Sequence, residues 1–170
     1  GGSLAAIALA GLLTPAAATG AETSDLLARF RAGPMADVKA IVFAARKPNE
    51  TDGHWYANIG YYAHDANRKA WREGAALYRY DLATRELRPL LEDPQGGIRD
   101  PQVHYDGQRI LFAYRRGGTE NYLLYEINAD GSDLRQITTG DYDDFEPTYL
   151  PNDDIVFVST RCRRWVNCWL

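Results

Sequence analysis

Short apolar stretches alternate with turn-forming residues along most of the chain. "KAIVFAAR", "ALYRYDL", "RILFAYR", "YLLYEIN" and "DIVFVST" are rich in β-branched and aromatic side chains, and Asp-Gly, Asn-Asp or Gly-Gly pairs lie between them. This pattern predicts short β-strands joined by tight turns. One segment has a different period: in "SDLLARFRAG", Leu26, Leu27 and Phe30 share a helical face, Ser24 is placed to cap it, and Gly33-Pro34 ends it.

The strands recur at a fixed spacing. Tyr78, Leu87 and Leu90 precede Tyr125, Leu134 and Ile137 by 47 residues, Pro101 and Val103 precede Pro147 and Tyr149 by 46, and Phe112 precedes Phe157 by 45. A repeat of that length with about four short strands is the signature of a β-propeller blade. The second unit, 100–139, would hold strands "PQVHY", "RILFAYR", "YLLYEIN" and "LRQIT". Its two-residue turns would fall at Asp106-Gly107 and Asp130-Gly131, because such hairpins need positive φ. The first unit covers 35–92 with an insertion, and the third begins at 146.

The predicted fold class is therefore all-β: a partial propeller of fewer than three four-stranded blades, preceded by a signal peptide and a short helix. Propellers close into rings of about four to eight blades, so the region 35–170 is expected to continue beyond residue 170. Residues 22–34 are read as the short helix and a linker, and residues 1–21 as a signal-peptide remnant. The uncharged run from Leu4 to Leu13 is followed by Pro15 and small residues, with cleavage points after Ala18 or Ala21. An apolar helix plus linker is the alternative. The run is too short to span a bilayer, so no membrane span is expected in the mature chain, and localisation is expected to be periplasmic or secreted.

A net charge of −4 and a pI near 5.4 give no electrostatic reason to expect nucleic acid as a partner. In an oxidising compartment Cys162 and Cys168 are disulfide candidates. Extended, they would stand about 20 Å apart, so they can join only across a bend or pair with residues beyond Leu170.

The order acid, Pro, aromatic, Asp-Gly, apolar strand and Ser-x-Arg ending, then Leu-Tyr, Asp-Gly and Arg-x-Leu-Thr, is the pattern of TolB-like propeller repeats, which this chain resembles. It falls on Asp100, Pro101, Asp106, Gly107, Ile110, Phe112, Arg115, Tyr125, Asp130, Gly131, Arg135, Ile137 and Thr138. Glu146, Pro147, Tyr149, Pro151, Asp153, Ile155, Phe157, Ser159 and Arg161 repeat it. Val103 and Tyr149 stand where Trp is usual, and Asp154 where Gly is usual. More narrowly, "GHWYANIGYY", "GGIRDPQVHYDGQRILFAYRRGGTENYLLYEINADG" and "EPTYLPNDDIVFVSTRCRRWVNCW" resemble exported proteins related to the hydrazine synthase alpha subunit. The resemblance implies a non-catalytic scaffold and binding domain whose partners are the remaining blades and downstream domains of the same chain, with other protein subunits as further partners. It implies no cofactor within this segment, because covalent haem needs C-x-x-C-H and no such string occurs. The alternative is part of an enzyme, with either a downstream haem or hydrolase domain or a metal-dependent propeller resembling oligosaccharide lyases.

The insertion "KPNETDGHWYANIGYYAHDANRKAWREG" concentrates His54, Trp55, Tyr56, Tyr61, Tyr62 and His64, with Trp71 near its end. A long aromatic insertion can pack as a lid, line a ligand, or dock a partner. The spacing of His54, His64 and His104 fits no compact metal motif, so no metal site is expected. The acids of "TGDYDDFEP" supply oxygens that suit Ca²⁺ or turn capping, and Glu146 is expected to bond backbone N–H groups near Pro147. Arg161 is expected to close a blade against those acids; an anion-binding or interdomain surface is the alternative for the run "TRCRRWVNCW". No G-x-S-x-G elbow occurs, and no catalytic residue is assigned.

Overall fold

The computed structural model describes residues 20–47 and 71–162. It divides into two units, Gly1–Val38 and Lys39–Leu170. In the first, helix α1 spans Gly20–Ala32. Ser24 therefore falls within the helix and not at its cap, whereas the Gly33-Pro34 stop follows the last turn. Among the described residues no helix is long and apolar enough to cross a membrane.

The second unit is built of antiparallel sheets in chain order. Strands β1 (Ala40–Arg46), β2 (Ala75–Asp81) and β3 (Leu87–Asp93) form the first. Strands β4 (Gly97–Val103), β5 (Arg109–Arg115), β6 (Leu123–Asn128) and β7 (Arg135–Gln136) form a four-stranded meander. Strands β8 (Asp144–Tyr149) and β9 (Ile155–Ser159) form the third. β4 packs beside both β1 and β8. One complete four-stranded blade flanked by two incomplete ones is a partial β-propeller.

Strand β5 shows why the apolar runs looked unbroken. Ile110, Phe112 and Tyr114 face a core shared with Leu77, Leu90, Ile98 and Ile127, while Leu111 and Ala113 face a second core with Tyr122, Leu124 and Tyr149. Both faces are buried, so alternation disappears. Each large side chain so buried contributes about 1.5–3 kcal/mol. The outer sheets keep the alternation: Ile41 and Phe43 on β1, and Val156 and Val158 on β9, remain 38–52% exposed.

The repeated acid-Pro pairs are strand bulges. Pro101 and Pro147 cannot donate to a ladder, and the register shifts at both places, between Arg99 and Gln102 and between Phe145 and Thr148. Asp100 (φ 55°) and Glu146 (φ 50°) adopt left-handed backbone there, a conformation costly for residues other than glycine. The Asp100 carboxylate offsets that cost: its Oδ2 accepts the Glu146 N–H at 3.1 Å and the Arg99 Nε–H at 2.5 Å. The acid that receives the backbone N–H is thus Asp100, while the Glu146 carboxylate stands 3.8 Å from Arg99 Nη2.

The Asp-Gly turns are wider than two residues. His104 and Arg109 bracket the first, closed by Gly107 N–H donating to His104 O and by Asp106 Oδ1 accepting the Gln108 N–H at 2.7 Å. The second is a three-residue loop between Asn128 and Ser132, with Asp130 Oδ1 accepting both the N–H and the hydroxyl of Ser132. Only Gly107 (φ 71°) and Gly131 (φ 87°) adopt the left-handed conformation in these loops, as expected of a type I turn followed by a glycine.

Candidate functional site

Two polar clusters and one cleft occupy the seams between sheets. At the seam of the second and third sheets, the bulge and turn after β4 deliver His104 into a buried position, 8% exposed. Its Nδ1 is 2.9 Å from Asp106 Oδ2, its Nε2 is 2.7 Å from Asp153 Oδ1, and the ring of Tyr149 meets it edge-on at 4.7 Å. Hydrogen bonding to Asp153 first, and to Asp106 second, raises the imidazole pKa above its ordinary value, against burial and the charge of Arg109. Arg109 Nη2 lies 2.8 Å from His104 Nε2 and its Nη1 is 3.9 Å from Glu126 Oε2. Glu126, 4% exposed, accepts from Arg135 and from the Tyr149 hydroxyl. Burial and then this carboxylate push the phenol of Tyr149 far above the usual range.

This cluster uses up its own valences. The His104 ring is occupied on both nitrogens, and the Arg109 guanidinium beside it opposes a metal cation. Among the described residues no group of His, Cys, Asp and Glu is placed to hold a metal. What the cluster does chemically is tie β4 and β5 to the turn of the third sheet.

The other end of that seam holds a buried ion pair. Asp144, wholly buried, accepts from Arg161 Nη2 at 2.7 Å and from the Ser159 hydroxyl at 2.6 Å. Arg161 in turn lies over the rings of Tyr142 and Phe157, 4.5 and 5.3 Å from their centroids.

Across the first seam, β1 and β5 each end in arginine, and β4 contributes a third. Arg99 and Arg115 are both 1% exposed. Arg99 stacks 4.8 Å from Phe145 and bonds Asp100; Arg115 lies 3.5 Å from the centre of the Trp71 ring. The pKa of Arg46 is lowered, by burial first and then by the charge of Arg99. Beside them opens a cleft of about 420 Å³ lined by Ala45, Arg46, Lys47, Gly74–Ala76 and Glu92–Pro94.

Over 103 residues, 59% of this chain, the sequence is 33% identical to hydrazine synthase subunit alpha of Kuenenia stuttgartiensis, and the match spans 11% of that protein. No family model matches the chain. Its backbone superposes on the Kuenenia stuttgartiensis hydrazine synthase structure with a TM-score of 0.50, at 24% identity over 74% of this chain and 17% of that one. The chain resembles hydrazine synthase subunit alpha. An oligogalacturonate lyase in complex with manganese superposes less well, with a TM-score of 0.49, 20% identity, and coverage of 72% of this chain and 32% of that one.

In this hydrazine synthase alpha-like propeller, the inserted residues His54, Trp55, Tyr56, Tyr61, Tyr62 and His64 lie outside the described residues, as does Cys168 and with it any pairing to Cys162. Cys162 is exposed on the closing 3-10 turn, Thr160–Cys162. The repeat residues Asp100, Pro101, Asp106, Gly107, Phe112, Asp130, Gly131, Glu146, Pro147, Phe157 and Arg161 occupy the bulges, turns, cores and ion pair described above. Sequence reasoning named Arg115 as a repeat residue and Trp71 as part of the insertion without pairing them, and passed over Arg99 and the His104–Asp153 contact. The arginines carried a signal: aligning β1 with β5 places Arg46 and Arg115 at the same terminal position.

Proposed function

We propose that this chain is a non-catalytic scaffold and binding module, with TolB-like blades, of a larger exported protein related to the hydrazine synthase alpha subunit. The supporting observation is the saturation of the seam chemistry. His104, Glu126, Asp144 and Arg161 spend their hydrogen bonds on one another and on neighbouring strands, which fixes the strands and leaves, among the described residues of these clusters, no activated nucleophile or acid–base pair facing a substrate. The half-exposed apolar rows of β1 and β9 are the faces through which further blades would pack, since each blade buries its faces against the next. The segment acts without a cofactor of its own, in the periplasm or outside the cell. Its ligand contacts, on composition, are His54, Trp55, Tyr56, Tyr61, Tyr62 and His64 of the insertion.

The test uses the full-length exported protein carrying Ile41→Glu with Phe43→Glu, or Val156→Glu with Val158→Glu. Both pairs are expected to reduce secreted, correctly sized assembly by size-exclusion chromatography. Wild-type assembly by both variants, or turnover of a substrate by the intact propeller alone, would overturn the reading.

A further inference from the structure

The first sheet stops one strand short of its neighbour. β1 aligns with β5 residue for residue: Phe43 faces Tyr78 where Phe112 faces Tyr125, and the Leu82 N–H donates to Lys39 O where the Ala129 N–H donates to Gln108 O. β5 is paired on both edges, by β6 and by β4, whereas among the described residues β1 is paired by β2 alone. Backbone groups alternate between the two edges of a strand. With the Lys39 carbonyl turned to β2, the N–H and C=O of Val42 and Ala44 lie on the open side. On β5 their counterparts, Leu111 and Ala113, stand opposite Gln102 and Arg99 of β4.

The strand bulges point the same way. Asp100 on β4 and Glu146 on β8 hold the same left-handed place before proline, 46 residues apart, and the Asp100 carboxylate accepts the Glu146 N–H of the next sheet at 3.1 Å. The matching N–H, that of Asp100, meets no carboxylate among the described residues. β4 lies against β1 as β8 lies against β5. One more acid-Pro strand on the open edge of β1 would therefore stand beside β4 as β4 stands beside β8, pairing Val42 and Ala44 and bringing a carboxylate to the Asp100 N–H.

The geometry points to the β1 edge as the docking site of an extended strand with an acid-Pro bulge, supplied by a further stretch of the same protein. The β4–β5 register sets the fit. The strand runs antiparallel to β1, with the residue before the acid opposite Ala44, the residue after the proline opposite Val42, and the acid-Pro pair bulging between them. Main-chain hydrogen bonds supply the affinity and the bulged acid the selectivity. A second copy does not fit: β1 contains no acid, and β4 and β8 are already paired within their own sheets. The acid-Pro pairs of this sequence, at Asp93, Asp100 and Glu146, all lie in described strands or directly after one, so the incoming strand lies outside these 170 residues. The matched region is 11% of hydrazine synthase subunit alpha, a length that leaves room for many such strands. This partner strand rests on the scaffold reading and deepens it.

The test is amide hydrogen exchange of the full-length exported protein, resolved to single residues by fragmentation in the mass spectrometer. The Val42 and Ala44 amides are expected to exchange slower than in an unstructured peptide by on the order of a hundredfold or more, independently of protein concentration. Ile41 is half-exposed, and its β5 counterpart, Ile110, stands opposite Val103, two residues past the proline. Ile41→p-benzoylphenylalanine is expected on irradiation to cross-link within one molecule to a peptide containing Asp-Pro or Glu-Pro. Ala44→Pro, which a free edge tolerates because the lost N–H would face water, is expected to speed exchange at Val42 by about tenfold or more. Unprotected Val42 and Ala44 amides in a correctly assembled protein would overturn the docking site and leave the scaffold reading standing. Protection that vanishes on dilution, or a cross-link to a second molecule or to a peptide without the acid-Pro pair, would overturn the assigned occupant. Exchange in the wild-type chain decides the matter even if Ala44→Pro fails to fold.

Discussion

Replacing Arg161 by Met isolates the energetics of the buried ion pair that closes the third sheet. Asp144 is wholly buried, and among the described residues its carboxylate accepts from Arg161 and Ser159. Removing the arginine leaves a buried carboxylate with one hydroxyl, a situation that typically costs about 3–5 kcal/mol. Arg161 is itself 42% exposed, so water reaches the site and lowers the expected cost to about 2–3 kcal/mol. With a urea slope of about 1–3 kcal/mol per molar, the unfolding midpoint followed by tryptophan fluorescence should fall by about 1 M or more. The double variant Asp144→Asn with Arg161→Met removes the stranded charge and should recover about half of that loss. The reasoning is refuted if Arg161→Met leaves the midpoint unchanged, or if the double variant is no more stable than Arg161→Met alone.

Two further predictions concern the seam between the second and third sheets and the core beside it. His104 has a raised folded pKa through Asp153 and Asp106, so its contribution is fully present below the unfolded value of about 6.5 and is lost as pH rises through the folded value. The stability difference between wild type and His104→Gln, measured by urea titration across that range, should therefore shrink as pH increases; a difference that grows with pH would contradict the two-carboxylate account. Phe112→Ala, at a position with no exposed surface, should cost about 3–5 kcal/mol by the same titration, whereas a loss below about 1 kcal/mol would mean the core collapses around the gap.

The fold was legible wherever the chain packs on both sides or turns sharply. Strand β5 stood out because Ile110 to Tyr114 are buried on both faces, and the acid-Pro and Asp-Gly pairs fell at true bulges and turns. The predicted fourth strand was less legible. "LRQIT" shrinks to Arg135–Gln136 because Leu134 and Ile137, 41% and 38% exposed, have no facing sheet among the described residues to hold them in register. His104 was the least legible. Its repeat partner is Leu150, and the carboxylate that defines it, Asp153, lies 49 residues along the chain in another sheet's turn. Periodicity reports what a blade needs for itself, and a contact between two blades leaves no period within either.

That distinction also separates the two seams. At the second seam, Arg109 faces Asp153 of the third sheet together with Asp106 and Glu126 of its own, while Arg161 meets Asp144 and Arg135 meets Glu126 within their own sheets. At the first, the repeat places arginine at the end of β1 and of β5, whereas β9 is followed by Thr160 and the closing arginine of the third sheet, Arg161, comes one residue later. The third sheet also closes β9 through the Asp143 N–H donating to the Thr160 hydroxyl at 2.9 Å, a neutral bond.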